Sequence, residues 1–346
     1  PQPSTLNKKV NCKLYHPEQA AEWNAFVAAS RNGTFLIDRR YMDYHSDRFA
    51  DHSLMWYDDG GRLAAVMPAH VQGDTLCSHC GLTYGGLIMG DRCTTVMACE
   101  MMEALNCHLL DVGLRRVTYK PVPHIYHRYP AEEDLYALHA VCHARLNRRD
   151  ASSVLIPATP VKWNRDRRYA ANKARTDGIT VAESDAFDVF WRILEDNLIQ
   201  TYGTRPVHSL AEIQLLKKRF QDEIRLYLAW KADGTPLAGT VLYVTPQVVH
   251  AQYISGSPEG KHLHAVDALF DHIIRRDFAT HRYIDFGISQ GDTSYGLHTT
   301  LIYQKEGFGG RAVCYDQYEW EVVSGGKEQG ARGRRNVTEH ETVQEH

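Results

Sequence analysis

Trp56-Tyr-Asp-Asp59-Gly60-Gly-Arg-Leu63-Ala64 recurs as Trp230-Lys-Ala-Asp233-Gly234-Thr-Pro-Leu237-Ala238, half a chain further on and without a gap. In both copies Asp-Gly stands between two apolar runs. Asp and Gly accept the positive φ of a tight turn, so each copy reads as a β-hairpin. Its strands are Ser53 to Trp56 with Leu63 to His70, and Leu226 to Trp230 with Leu237 to Thr245. A repeat of a few tens of residues would indicate a solenoid, whereas an offset of half the chain indicates a duplicated domain.

Similar parts surround each hairpin. The first half has apolar helical periodicity near Glu18 to Ser30 and again near Val96 to Leu110. In the second half Phe187, Phe190, Trp191, Leu194 and Leu198 share one helix face. Strand 248–256 follows, then a helix predicted over about 263–278 and a strand at Tyr283-Ile-Asp-Phe286. The expected fold is mixed α/β: two like domains, 1–155 and 156–323, each a mostly antiparallel sheet flanked by helices. The tail 324–346 has almost no apolar residues and is expected to be disordered.

The chain has 346 residues, about two domains at ~150 each. Lys+Arg 39 against Asp+Glu 42 excludes a polybasic nucleic-acid coat, so any polyanion must meet a local patch. No apolar run reaches the ~20 residues of a membrane span. The stretch Pro1 to Lys13 is polar and shows no signal peptide, although the absent initiator Met leaves room for a trimmed one. Eight cysteines are too sparse for a disulfide scaffold, so a reducing cytoplasm is the expected compartment. Cys77-Ser-His79-Cys80 has zinc-knuckle spacing. A closed structural site takes four ligands, and no second CxxC pair supplies them. The expectation is ordinary thiols, no metal and no cofactor.

Four stretches can carry chemistry. In Gly81-Leu-Thr-Tyr84-Gly85-Gly86 the glycines allow either close backbone approach to a ligand or a plain turn. Lys162-Trp-Asn-Arg165-Asp-Arg167-Arg168-Tyr-Ala-Ala-Asn-Lys173 concentrates basic groups on helical positions; it reads as a phosphate contact or as a solvated face. Gly287-Ile-Ser289-Gln-Gly291 matches a serine nucleophile elbow in form, but Gly296 interrupts the helix that motif requires, and no acid and His follow in order. Lys305-Glu-Gly-Phe308-Gly-Gly can aim one ammonium into a cleft or simply cap a helix.

In combination, Asp285-Phe-Gly-Ile-Ser289 followed by Tyr303-Gln304-Lys305-Glu-Gly-Phe308-Gly resembles the closing motif of the FemABX-type branch of the GNAT acyltransferase superfamily. Arg167-Arg168-x-x-x-Asn172-Lys173 is similar to that family's Arg-rich central segment, and Trp23-x-x-Phe26 and Tyr84-Gly85-Gly86 also fit. The resemblance covers about residues 20 to 320 and implies tandem GNAT-like domains. Gln304 departs from the aromatic residue the family usually carries there, and no coiled-coil arm is present.

The resemblance implies transfer of an aminoacyl group from aminoacyl-tRNA to a small-molecule or peptide amine, without a covalent enzyme intermediate. Lys305 is then the expected oxyanion stabiliser, with Ser289 or Tyr253 assisting. Asp285 reads as a proton acceptor or as a turn cap. Gln304, Phe308, Lys162, Arg165, Arg167, Arg168 and Lys173 are the expected donor and tRNA contacts. His45, Arg48, Tyr84, Gly85 and Gly86 are the expected acceptor contacts, with a salt bridge to Asp43 or Asp47 as the other reading of His45 and Arg48. Two alternatives stand beside this one. One is an acyl-CoA-dependent N-acyltransferase, for which Ser257-Pro-Glu-Gly260-Lys261 occupies the place of a pyrophosphate turn but makes a poor cradle. The other is a non-catalytic binding module.

Overall fold

The computed structural model describes residues 10–291 and 293–322; the tail predicted to be disordered lies outside them. The first half contains β1 (Asn11–Leu14), α1 (Ala20–Ala29), α2 (Arg39–Met42), β2 (Ala50–Asp51), β3 (Leu54–Tyr57), β4 (Leu63–Met67), β5 (His70–Gln72), β6 (Thr75–Cys77), β7 (Ile88–Met89), α3 (Thr95–Asp111), β8 (Arg116–Tyr119), α4 (Glu133–Ala140) and β9 (Arg145–Leu155). The second contains α5 (Arg165–Thr176), β10 (Thr180–Ser184), α6 (Phe187–Tyr202), α7 (Leu210–Arg219), β11 (Ile224–Trp230), β12 (Pro236–Val244), β13 (Val248–Gly256), α8 (Pro258–His262), α9 (Ala265–His272), β14 (Tyr283–Ile288), α10 (Thr299–Gly307) and β15 (Arg311–Glu321). Among the described residues no helix is long and apolar enough to cross a membrane.

Both predicted hairpins form: β3 with β4 and β11 with β12, each antiparallel. The likeness extends beyond them. β1 pairs with β3 as β10 pairs with β11. β6 lies parallel to β8 as β13 lies parallel to β14, with helices in each crossover. A strand of eleven residues closes each half. These closing strands change sides. β9, from the first half, pairs with β14, while β15, from the second, pairs with β8, and β9 and β15 pair with each other. One eleven-stranded sheet therefore runs through both halves in the order β10-β11-β12-β13-β14-β9-β15-β8-β6-β5-β2, with β1-β3-β4-β7 as a second sheet.

The helix predicted over 263–278 is divided. His264 takes a left-handed conformation (φ 58°) between α8 and α9, and the segment Ile273–Asp277 is π-helical. Of the apolar stripe Leu263, Val266, Phe270, Ile273 and Ile274, the last three are buried against the second-half sheet and the first two are partly buried there. An aromatic cluster joins the halves. Phe35 packs 5.2 Å from Phe220 and 5.3 Å from Tyr243, and the Tyr41 and Tyr243 hydroxyls lie 3.2 Å apart. Each such ring contributes about 2 kcal/mol through burial, so the two halves are held in one geometry.

Candidate active site

β13 and β14 run parallel for three residue pairs only, Val248↔Tyr283 to His250↔Asp285. Beyond them the strands separate. β13 follows β12 through a bulge that leaves Gln252 without a register partner, and β14 turns to β9. A cavity of about 640 Å³ fills the opening. His250, Gln252 and Ile254 line it from β13, Phe286 to Ile288 from β14, and Leu301 and Lys305 from α10. Arg148 and Asp150 of β9, Tyr315 to Gln317 of β15, and Cys80, Thr83 and Lys120 complete the wall. Both halves thus build it, through the exchanged strands.

Asp285 lies at the base of the opening, with no exposed surface. Five donors converge on its carboxylate. His250 Nδ1 is 2.8 Å away, the Tyr315 hydroxyl 2.6 Å and the Tyr126 hydroxyl 3.2 Å; Ser152 Oγ at 2.5 Å and the Gly287 N–H at 2.8 Å take the other oxygen. Burial by itself would raise the carboxyl's pKa. The facing imidazole and the hydrogen bonds from Ser152 and Tyr315 outweigh burial and hold it well below the ordinary carboxylate range. An ionised Asp285 fixes the His250 tautomer with its proton on Nδ1, leaving Nε2 as the basic nitrogen of a ring on the cavity wall.

Lys305 is 5% exposed and also lines the cavity. Its ammonium donates to Gly287 O at 2.8 Å, Ile288 O at 3.0 Å and Ser289 Oγ at 2.8 Å. Gly287 therefore links the two charged groups, its N–H on Asp285 and its carbonyl on Lys305. Burial pulls the Lys305 pKa from 10.5 down to about 8, with the Asp285 charge opposing. All three ammonium protons are committed, so a direct bond to an oxyanion requires the release of one of them.

Lys305, Ser289 and Asp285 are thus brought together as the sequence leads one to expect, but Asp285 is enclosed, with His250 and Tyr315 between it and the cavity. Tyr253 is a correction. Its neighbours His250, Ala251, Gln252 and Ile254 line the cavity, but Tyr253, past the bulge at Gln252, packs outside it. There its hydroxyl meets His208 Nδ1 at 2.6 Å and its ring packs on Trp191. Ser289 is buried beneath Lys305, and among the described residues after it the next helix starts at Thr299, not directly after the serine as an elbow requires.

The basic helix begins at the C-terminal end of α10, where the Asn164 N–H donates to Gly307 O. Lys162, Arg165, Arg168 and Lys173 are exposed there, with Lys173 paired to Asp177. Arg167 is different: it forms an ion pair of 2.7 Å with the buried Asp267 and is spent on the fold. Gln304 is half-buried, and Phe308 is a core residue stacked on Phe286.

The expected acceptor residues are not brought to the cavity. His45 is enclosed, with Nδ1 on Met42 O and its ring stacked on Tyr44; Arg48 pairs with Glu212 rather than with Asp43 or Asp47. Tyr84 is buried against Thr34 and Tyr126. Gly85 and Gly86 serve packing. A Cβ on Gly85 would stand 2.2 Å from Ser78 O, and Gly86 combines a φ of 71° with a Cβ position 2.7 Å from the Tyr119 ring.

His250, Gln252, Tyr126 and Tyr315 do not stand out in any sequence motif. Strand alternation does not reveal them, because Ala251 also lines the cavity and the bulge at Gln252 interrupts the two-residue period; Gln252 Oε1 is buried without a hydrogen-bond partner.

Residues 161–295 match the acetyltransferase (GNAT) domain family. Among curated proteins no sequence matches the chain. The fold is similar to that of FemX, with a TM-score of 0.63 at 11% identity over 89% of this chain and 97% of that one. It is also similar to the C-terminal domain (DUF2156) of a candidate lysylphosphatidylglycerol synthetase from Agrobacterium fabrum (TM-score 0.55, 14% identity, 88% of this chain and 92% of that one). L-PGS from Bacillus licheniformis gives a TM-score of 0.55 at 13% identity, covering 90% of this chain and 94% of that one.

Proposed function

We propose, from the premise that this chain is a GNAT acyltransferase built on the FemX fold, that it moves an aminoacyl group from aminoacyl-tRNA to an amine. The carrying observation is the cavity at the separation of β13 and β14, where His250, oriented by buried Asp285, shares a wall with Lys305. The acceptor amine attacks the ester carbonyl directly. His250 Nε2 takes the proton the amine loses, the Asp285 carboxylate stabilises the resulting imidazolium, and as the oxyanion collapses the ester C–O bond breaks and that proton passes to the departing tRNA ribose oxygen. The buried positive charge of Lys305 favours the oxyanion, which exists only on the way to product. Gln252, with its unpaired Oε1, is placed to hold a donor group of the acceptor. Holding both substrates in one cavity removes much of the entropic cost of their meeting.

The exposed face of Lys162, Arg165 and Arg168 beside α10 supports a phosphate-bearing donor. In the same proposal the division at 155/156 separates an N-terminal domain from the C-terminal one that carries the basic segment and the transfer motif. The second reading, an acyl-CoA donor, calls for a turn with unpaired N–H groups at the start of α8. That turn has few to offer: Pro258 has no N–H, and the Gly260 and Lys261 N–H groups are taken by Ser257.

The test is donor loss. With amine acceptors present, consumption of aminoacyl-tRNA that RNase abolishes supports the first reading. Consumption of acetyl-CoA alone supports the second.

A further inference from the structure

We infer that His70, Cys77 and Cys80 form a binding site for a thiophilic divalent cation of the zinc type in the wall of the cavity. The sequence spacing hides it, because the imidazole comes from the neighbouring strand. β5 and β6 are an antiparallel pair in which His70 lies directly opposite Cys77. The chain then turns through Ser78 and His79, the latter left-handed at φ 63°, and brings back Cys80. One ligand atom from each of the three lies within 4.8 Å of the other two. Tetrahedral zinc with bonds of about 2.0–2.3 Å sets ligand atoms about 3.3–3.8 Å apart, so a contraction of about 1 Å closes the site.

The surroundings are poorly explained as plain core. His70 and Cys77 are buried, yet His70 Nδ1 has no hydrogen-bond partner. Neither do His79 Nδ1 and His45 Nε2, whose rings pack in a chain: His70 to His79 at 5.4 Å and His79 to His45 at 5.3 Å. Lys120 stands in the same cavity wall as Cys80, with its ammonium on Leu82 O. Two thiolates cancel a divalent charge, which permits its burial.

Three protein ligands leave one tetrahedral position for water or a polar atom of substrate, and Cys80 is itself a wall residue of the cavity. This inference goes beyond the acyl-transfer reading and does not depend on it.

The test uses the full chain, reduced, stripped with a chelator and titrated with Co²⁺, whose thiolate charge-transfer absorption reports sulfur ligation. The expected result is one Co²⁺ per chain with that band, displaced by Zn²⁺. Affinity should fall at least about tenfold in Cys80→Ser and in His70→Ala, and remain unchanged in Cys107→Ser, an exposed cysteine outside the cluster. Because Cys80 is exposed, its variant should keep the wild-type circular dichroism. A reduced, folded chain that develops no band overturns the inference. So does unaltered affinity in folded Cys80→Ser, or a Cys77–Cys80 disulfide formed in air by a chain that binds no Co²⁺ when reduced.

Discussion

His250 Nδ1 and Asp285 Oδ2 meet at 2.8 Å across β13 and β14, at the last pair before those strands part. The carboxylate belongs to the closed part of the sheet and the imidazole opens on the cavity. This one contact joins the fold to the chemistry, because the point where the sheet stops pairing is where a basic nitrogen becomes available.

The proposed mechanism makes Asp285 a positioning residue, a role that Asp285→Asn tests. The amide cannot stabilise an imidazolium, and its NH₂ competes to reverse the His250 tautomer. Turnover should fall about a hundredfold or more with KM nearly unchanged. A structural role alone would leave the pH–rate profile in place. Here the profile should change as well as the rate, because the group that orients the imidazole is gone.

The Lys305 ammonium supplies charge only while protonated. Burial holds its pKa near 8, against 10.5 for an ordinary lysine. Activity that depends on this charge should decline as pH rises through about 8. Lys305→Ala should lower turnover about a hundredfold and abolish that alkaline decline. The stability consequence has the opposite sign. Below about 8 the folded chain carries a charge it would rather lose, so this group's contribution should improve between about pH 8 and 10.5, a slope readable in urea denaturation and absent in Lys305→Ala.

Arg167 and Arg168 are adjacent but should behave differently. Arg167→Ala leaves Asp267 buried without its partner, and should cost about 3 kcal/mol of stability, measured by denaturant midpoint. Arg168→Ala should leave the midpoint unchanged. It should instead weaken tRNA binding and reduce the slope of log K against log salt by about 1.

Gly85 and Gly86 separate packing from binding. Gly85→Ala forces a methyl onto Ser78 O, so it should lower the melting temperature without a selective rise in the KM for the amine. A raised KM in a fully stable Gly85→Ala would restore the ligand-approach reading.

The hairpins around Asp59-Gly60 and Asp233-Gly234 were legible because turn chemistry and alternation are local, and their recurrence carried the duplication with them. The exchange of β9 and β15 was not. Nothing within Arg145 to Leu155 says that its partner is β14 of the other half, since cross-strand register depends on the assembled sheet. The same limit explains the site. Lys305 and Asp285 are visible because they lie in a recognisable motif. His250 becomes significant only opposite Asp285, and His70 only opposite Cys77. Tyr253 shows the converse: chemically suitable, but set past the bulge at Gln252, where it meets His208 and Trp191 instead of the cavity.

The most direct measurement is the pH dependence of single-turnover acyl transfer for the wild type and His250→Asn, with whichever donor the RNase experiment identifies. The expected result is a drop of about a hundredfold or more for the variant near neutral pH, with loss of the acidic limb and unchanged melting temperature. A folded His250→Asn that transfers at the wild-type rate with the same profile would contradict the assignment of this cavity's base.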